Sequence, residues 1–282
     1  MTRRIKIGQI GIGHNHGEAK MRSACKLNDL FEVTGYAEED EKWIAQRGGS
    51  EVYRKLRRLS VAELLEQSDA VLVETDVPRL TEYAKLCADA GKHIHMDKPA
   101  SGSLNDFKEL IDAAREKKLV LQLGYMYRYN PAVQKAMQLA KSGSLGRILS
   151  VDAQMSTFHA KWYKEWLSRF DGGSMYIFGS HLVDIVVSLL GEPDTVASFF
   201  RCTDTDGISF PDNTLAVLGY RAALARIYVS SVEVNGWGRR QLTVAGDKAT
   251  VSILPIENVT AMTYSDLSIA TDAYRDMKEN IA

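Results

Sequence analysis

The sequence has little cysteine, little proline and no surplus of charge of either sign. Its 282 residues include 3 Cys and 6 Pro, and 35 basic side chains almost balance 36 acidic ones, for a formal net charge of −1. The cysteines lie far apart without paired spacing, which argues against a disulfide framework, so we expect them to be reduced and buried. The balanced charge argues against nucleic acid or an anionic membrane as a partner.

Long apolar runs are also missing. Basic residues stand near the N-terminus, but the apolar residues after them are too few and too rich in glycine for a signal peptide or a membrane span. This beginning is typical of a first strand in a cytoplasmic protein. With 45% hydrophobic and 25% charged residues, the chain can fill two cores of medium size.

Short β-branched runs alternate with segments of helical period through the first half of the chain. This alternation predicts βαβ units and a parallel sheet. The predicted strands cover 5–12, 31–37, 70–75, 93–96 and 119–123, and the predicted helices cover 16–27, 60–66, 78–90 and 104–117. Ser60 and Glu63 have the spacing of a helix capping box.

The pattern of apolar and polar residues changes near residue 124. Strands beyond it alternate between apolar and polar residues, which indicates an antiparallel sheet with one covered face. Strands are predicted over 149–155, 214–220, 225–234 and 251–256, and helices over 131–142, 181–190 and 272–280. We therefore predict an α/β fold with two domains: a doubly wound Rossmann domain over 1–124, and an α/β domain with an open, mainly antiparallel sheet over 125–282.

A glycine-rich turn follows the first predicted strand. Gly11 and Gly13 have the spacing of the dinucleotide fingerprint, with His16 where a third glycine often stands, and the next helix would offer its N–H groups to a pyrophosphate. Glu38, about twenty residues further on, would accept hydrogen bonds from the ribose and repel a 2′-phosphate. Together with Glu39, where NADP enzymes often carry an arginine, it predicts NAD rather than NADP. The alternative is a glycine turn in another kind of α/β protein.

Two His-x-His pairs, His14/His16 and His93/His95, suggest a metal, because imidazole is the commonest metal-binding side chain. No cysteine or acidic cluster completes a site at a recognisable spacing. The sequence therefore predicts no metal, and turn polarity and strand-end solvation account for both pairs.

Four motifs carry a resemblance to a known family. Asp97, Lys98 and Pro99 follow a predicted strand, at the edge where open parallel sheets bind ligands. The segments GIGHNH, AGKHIHMDKP, GYMYRYNP and GGSMYIFGSHLVD occur in that order. They resemble the Gfo/Idh/MocA oxidoreductase family across roughly residues 5–190, with Asp97 where the family has glutamate.

The resemblance implies a Rossmann domain followed by a domain for substrate binding and oligomerisation. It implies hydride transfer between a nicotinamide and a carbinol of a sugar, cyclitol or related polyol, in a homo-oligomer, dimer or tetramer, formed through the C-terminal sheet. Lys98 matches the catalytic lysine, Pro99 a neighbour that is often cis, and His181 the catalytic histidine. Arg128 and Tyr129 match a segment near the nicotinamide. The residues expected to contact the coenzyme are Gly11, Gly13, His14, Asn15, His16, Glu38, Thr75, Pro78, Asp97, Lys98 and Arg128.

One position departs from the family pattern. A carboxylate commonly stands four residues before the histidine, but this chain has Ile177 there. Asp184, three residues after His181, is the candidate third catalytic residue, although an ordinary helix-pairing acid would occupy the same place. Two alternative functions stay open: transient oxidation by tightly held NAD that permits elimination or hydrolysis, and a non-catalytic dinucleotide-binding sensor.

The segment FHAKWYKEWLSRFDGG mixes aromatic and basic side chains. Trp162, Tyr163 and Trp166 stand among lysines and an arginine. Such a segment could cover a sugar substrate through ring stacking, and it could equally be an amphipathic helix packed on the core.

Overall fold

The computed structural model describes residues 3–259 and 262–267. The chain divides into two compact units, Met1–Gly124 and Tyr125–Ala282, and each unit contains one sheet. The helix that the sequence predicts over 272–280 lies outside the described residues.

The first unit is built on a parallel sheet. Its strands are β1 (Ile5–Ile10), β2 (Phe31–Ala37), β3 (Ala70–Val73), β4 (His93–Met96) and β5 (Leu121–Leu123). They pair in the order β2-β1-β3-β4-β5. The direction of winding reverses between β1 and β3, so the carboxyl ends of these strands form the switch point where open sheets bind ligands.

Helices cover both faces of this sheet. They are α1 (Gly17–Lys26), α2 (Glu41–Trp43), α3 (Val61–Gln67), α4 (Leu80–Asp89) and α5 (Leu104–Glu116), with short helical turns at Ile44–Gly48, Tyr53–Lys55 and Val77–Arg79. Ile7 of β1 packs with Ala24 of α1, and Ile10 packs with Leu110 of α5 in a separate core. The strand β3, AVLV, is apolar throughout, as expected of a parallel strand that is covered on both faces. The predicted Rossmann-type fold is confirmed.

The start of α3 confirms the predicted capping box. The Ser60 hydroxyl accepts a hydrogen bond from the Glu63 amide at 3.2 Å, and the Glu63 carboxylate accepts one from the Ser60 amide at 2.8 Å. Each side chain therefore satisfies a helix-end donor that would otherwise be unpaired.

The second unit contains a larger sheet of mainly antiparallel strands. They are β6 (Ile148–Ser156), β7 (Thr195–Arg201), β8 (Asn213–Gly219), β9 (Leu224–Ser230), β10 (Gln241–Gly246), β11 (Ala249–Ile253) and β12 (Thr263–Asp266). Their order is β12-β11-β10-β6-β9-β8-β7, and only the β6–β9 pair is parallel among these described strands. The predicted mainly antiparallel sheet is confirmed.

The described part of the second unit has three helices, of which the first and the last share a core with its sheet. They are α6 (Pro131–Lys141), α7 (Lys161–Leu167) and α8 (Ser180–Leu190), with short helical turns at Met126–Tyr129, Met175–Gly179, Thr205–Gly207 and Gly236–Arg239. Leu182 and Ile185 of α8 share a core with Val151 of β6 and Ile227 of β9. The edge strand β7 is exposed along its whole length.

Two expectations need comment. Cys87 is buried, but Cys25 and Cys202 are exposed, so the expectation of three buried cysteines is wrong for two of them. Within the described residues, every helix is too short or too polar to cross a bilayer.

Candidate active site

The turn after β1 has a backbone that requires glycine at its first position. Gly11 has φ +83°, and a Cβ there would lie 2.5 Å from the backbone of Thr75, which follows β3. A Cβ on Gly13 would lie 2.8 Å from the indole nitrogen of Trp43. A side chain at either position would therefore collide with its neighbours. Both positions thus require glycine, as in the dinucleotide fingerprint.

Two residues that the sequence analysis missed shape the same turn. α1 begins at Gly17, one residue after the expected third glycine, and a Cβ there would lie 3.2 Å from the Cβ of Glu74. Gly17 thus lets α1 approach the end of β3. The guanidinium of Arg47 donates to the carbonyls of Ile12 and His14 at 3.1 and 2.6 Å. No sequence motif marks Arg47, because its contact depends on how the segment after α2 folds back.

Glu38 is buried at the end of β2. Its Oε2 accepts a hydrogen bond from the Ile12 amide at 2.8 Å, and its Oε1 accepts one from the Asp40 amide at 2.9 Å. The carboxylate therefore joins the glycine turn to β2. The cavity beside it is lined mainly by acidic and small residues, among them Gly11, Glu39, Asp40, Thr75 and Asp76.

The lining of this cavity fits an adenosine ribose with a free 2′-hydroxyl. Carboxylates accept hydrogen bonds from a diol, and their charge opposes a phosphate. Arg79 also lines the cavity, but its guanidinium donates twice to Glu82, at 3.2 and 3.0 Å, so its charge is already paired.

A charged cluster lies where β1, β3 and β4 end. Three nitrogens surround Oδ2 of Asp97: Nδ1 of His14 at 3.1 Å, Nδ1 of His16 at 3.0 Å and Nζ of Lys20 at 2.5 Å. The Lys20 ammonium also contacts Oε1 of Glu74 at 2.7 Å. Both carboxylates are fully buried. The single acid in the apolar run AVLVET signalled such a partner, because a buried charge is normally paired.

The proton affinities of the cluster follow from burial and mutual contact. Burial raises the pKa of Glu74, and repulsion from Asp97 raises it further. Burial alone would raise the pKa of Asp97, but hydrogen bonds from His14 and His16 and the charge of Lys20 together hold it below its usual range. Burial lowers the pKa of His14 against the opposing pull of Asp97.

Lys98 follows this cluster directly and is only 5% exposed. Burial lowers its pKa to about 8; Asp97 opposes this shift and Lys20 adds to it. The Lys98–Pro99 peptide bond is cis, as the resemblance implied. A lysine in this state loses its proton much more easily than a solvated one, and so can act as a base near neutral pH.

His14, His16 and Asp97 also form a potential metal-ligand group, with ligand atoms within 4.8 Å of one another. The spacing of residues in the sequence does not reveal the acid that completes the pair, because Asp97 is distant in the chain. Lys20 already contacts the shared carboxylate oxygen, so a metal ion there would face a fixed positive charge. That no metal binds stays a prediction.

The second histidine pair is tied to the end of the sheet. Nδ1 of His93 accepts a hydrogen bond from the Val120 amide at 3.0 Å. Nδ1 of His95 lies 3.1 Å from Oε1 of Gln122 on β5. These contacts give the pair a role in joining β4 to β5.

The expected coenzyme residues occupy different surroundings in the first unit. Gly11, Glu38 and Thr75 line one cavity, whereas the His14 and His16 side chains turn to Asp97. The Asn15 side chain is exposed and accepts a hydrogen bond from Arg47 at 2.9 Å. Pro78 lies on the exposed first turn of the helical segment Val77–Arg79.

In the second unit, Arg128 and Asp184 bind each other. Nε and Nη2 of Arg128 donate to the two oxygens of Asp184 at 2.7 and 2.5 Å. This paired geometry joins the turn Met126–Tyr129 to α8. It favours the helix-pairing interpretation of Asp184 over a catalytic one.

His181 lies in the first turn of α8 and is 4% exposed. Two tyrosine rings stand perpendicular to its imidazole: Tyr125 at 5.7 Å and Tyr127 at 5.1 Å between ring centres. Ile177 is also buried, one turn earlier in the chain. The surroundings of His181 that these residues provide are thus mainly aromatic and apolar.

The middle of the aromatic segment forms helix α7. Tyr163 stacks on His159 with ring centres 4.4 Å apart, and Lys164 is fully buried. These two residues agree with the helix-packing interpretation. Trp162, on the contrary, is 68% exposed and is available for a ligand.

Two family models match the sequence. One, described as an oxidoreductase family with an NAD-binding Rossmann fold, covers residues 5–125, and the other, described as a GFO/IDH/MocA C-terminal domain, covers residues 133–252.

The individual relatives have low sequence identity to this chain. Dehydrogenase aclE of Aspergillus oryzae is 28% identical over 70% of this chain and 57% of its own length. The scyllo-inositol 2-dehydrogenase (NADP(+)) IolW of Bacillus subtilis is 26% identical over 69% of this chain and 54% of its own. The chain therefore spans little more than half the length of these curated relatives.

The fold is shared with solved dehydrogenases. The WlbA dehydrogenase from Bordetella pertussis, crystallised with NADH and UDP-GlcNAcA, has a TM-score of 0.82 and 22% identity, over 98% of this chain and 82% of that chain. At 22% identity, this structural similarity shows a shared fold and nothing more specific.

Proposed function

The chain belongs to the Gfo/Idh/MocA oxidoreductase family, and we propose that it is an NAD-dependent dehydrogenase acting on a carbinol of a sugar, cyclitol or related polyol. The observation that carries the proposal is Lys98. It is buried at the carboxyl end of β4, beside a glycine turn built for a dinucleotide, and its pKa is lowered to about 8.

Bound NAD would accept the hydride from the substrate carbon. The hydroxyl proton must then leave the substrate oxygen, and Lys98 in its neutral form takes it. His181 either polarises the same oxygen or relays the proton from Lys98 to solvent; in the reverse direction Lys98 returns a proton to the oxygen. This division of work requires Lys98 and His181 to reach one substrate, which is part of the proposal.

Preference for NAD over NADP belongs to the same proposal. Glu38 with the neighbouring acids Glu39 and Asp40 supports it, because an added 2′-phosphate would meet negative charge. IolW, whose name states NADP(+), shows that relatives differ in this choice.

We also propose that the protein is a homo-oligomer formed through the C-terminal sheet. The exposed edge strand β7 supports this, because it presents Val196 and Phe199 to solvent at 64% and 50% exposure. An unpaired edge with large apolar residues is a ready surface for pairing. Light scattering coupled to gel filtration tests it, and a monomer at micromolar concentration would contradict it.

The test of the function is a substrate screen with the purified protein. NAD and a panel of inositols, sugars and nucleotide sugars are supplied, and NADH absorbance and product formation are followed together. NADH produced with one class of carbinol supports the proposal. A product without net NADH would instead indicate transient oxidation followed by elimination or hydrolysis, and NAD binding without turnover would indicate a sensor.

A further inference from the structure

The helix that carries His181 offers it no orienting carboxylate at the two nearest turns. Ile177, one turn before, is apolar and 2% exposed. Asp184, one turn after, has both oxygens in hydrogen bonds from Arg128. Neither of these two side chains therefore supplies a carboxylate that orients the imidazole.

Tyr127 is the neighbour of His181 with a carboxylate behind it. Tyr127 is 4% exposed, its ring is perpendicular to the imidazole at 86°, and its hydroxyl donates to Oε1 of Glu257 at 2.8 Å. A hydrogen bond to a charged acceptor is stronger than one between neutral groups. Burial and the negative charge of Glu257 raise the pKa of Tyr127 far above its usual range, so the hydroxyl remains a donor.

Glu257 is itself held in place by a buried arginine. Nη1 of Arg240 donates to the same Oε1 at 2.8 Å. Arg240 is 6% exposed, its Nε donates to the carbonyl of Ser156 at 3.1 Å, and its guanidinium lies 3.9 Å from the ring centre of Trp237. The carboxylate position is thus set by the end of β6 and by the turn before β10.

A second link joins the same two segments of chain. The side-chain nitrogen of Asn130 donates to the carbonyl of Ile256 at 3.0 Å, while its oxygen accepts from the Ala132 amide at 2.8 Å at the start of α6. Tyr127 and Glu257 therefore meet between two segments whose backbones are fixed to each other.

We propose that Glu257 acts through Tyr127 to orient His181. Glu257 is a positioning residue in this proposal, which rests on His181 being the acid–base group proposed above. The Glu257 hydrogen bond holds the hydroxyl end of Tyr127, and the perpendicular ring contact then limits how the imidazole can turn. Arg240 offsets the charge of Glu257, so the effect on His181 is orientation, and orientation decides which imidazole nitrogen meets a hydrogen-bond partner and hence the tautomer.

The experiment is ¹⁵N NMR of the imidazole nitrogens in the full-length protein, with the His181 signals assigned through His181→Gln. Tyr127→Phe keeps the ring and removes the hydroxyl. We expect the separation between the two ¹⁵N shifts of His181, which reports a single tautomer, to fall to about half in this variant. Glu257→Gln keeps an uncharged acceptor, so we expect a smaller decrease there. The other histidines should keep their shifts in both.

Glu233→Gln is the matched control, because this partly buried carboxylate pairs with Arg239 in the same unit and its loss removes the same charge. Unchanged His181 shifts in a folded Tyr127→Phe protein would overturn the proposal. So would changes spread over several histidines, which would mean a general loosening. The measurement needs no substrate, so its failure is distinct from failure of the proposed dehydrogenase activity, which the substrate screen decides.

Discussion

The two units surround their candidate acid–base groups with opposite kinds of neighbour. Lys98 follows a cluster in which Lys20 bridges two buried carboxylates, whereas His181 lies against two tyrosine rings. A lysine ordinarily keeps its proton at neutral pH, so its pKa must fall before it can serve as a base. An imidazole ordinarily titrates near neutrality and chiefly needs to be oriented. In the first unit burial lowers the pKa of the lysine, and the charges beside it adjust that pKa in both directions. In the second unit rings lie against the group whose orientation matters.

The largest expected effect comes from removing the amine of the first unit. Lys98→Met should lower turnover by about 10³-fold or more, because no other group takes the proton at that place, while NAD affinity changes by less than about twofold. NADH formation and fluorescence titration with NAD measure the two effects. Lys26→Met, at an exposed position on α1, is the control. Turnover that survives would remove Lys98 from catalysis.

A carboxylate placed at position 177, four residues before His181, should destabilise the protein. Ile177→Asp places an acid at a 2% exposed apolar position, and we expect it to lower the free energy of unfolding by about 3 kcal/mol without raising turnover. Urea denaturation measures the loss, with Ile177→Val, at about 1 kcal/mol, as the reference. A stable and more active Ile177→Asp protein would show that the second unit still accepts the acid, and the comparison between the units would fail.

The carboxylate at the coenzyme cavity gives a smaller effect. Glu38→Ala removes an acceptor for the ribose and also leaves the Ile12 amide without its partner, so we expect NAD to bind more weakly by about 1–2 kcal/mol. The affinity for NADP should fall less, because the substitution also removes a negative charge that repels the 2′-phosphate. Dissociation constants for both coenzymes check this, and Glu38→Gln separates hydrogen bonding from charge. An unchanged ratio of the two constants would mean that Glu38 does not select the coenzyme.

The sequence was most informative where a feature depends on residues close together in the chain. The bounds of β2 and β4 and the capping box of Ser60 and Glu63 agree with prediction, because period, branching and capping are local properties. The strands β7, β10 and β12 were missed. For β7 the reason is physical, since a strand exposed throughout carries no burial pattern for the sequence to show.

The contacts around the candidate site were beyond local reasoning. Lys20 and Asp97 are separated by 77 positions, and Tyr127 and Glu257 by 130. Only the topology of each sheet brings such pairs together. A lone Glu74 at the end of an apolar strand is a sign that a partner is needed, but residue types alone do not say which lysine it is.

The smallest expected effect comes from altering the charge beside Lys98 while Lys98 itself is kept. Lys20→Met removes a positive charge that lowers the pKa of Lys98, and it takes from Asp97 one of its three partners, so that the negative charge of Asp97 acts more strongly on Lys98; both changes favour the protonated amine. Oxidation requires the neutral amine, so the rate rises with pH through the pKa of Lys98. That rise should move upward by about half a pH unit, or roughly 0.7 kcal/mol, in the variant.

The profile of kcat between about pH 6 and pH 10 measures this shift, with Lys20→Arg as the control that keeps the charge. At the alkaline end the Lys20→Met and unaltered proteins should turn over at similar rates, because Lys98 is neutral in both. A profile that stays in place, or moves to lower pH, would mean that the cluster in the first unit only supports the fold. The two units would then differ in composition but not in how they prepare a group for proton transfer.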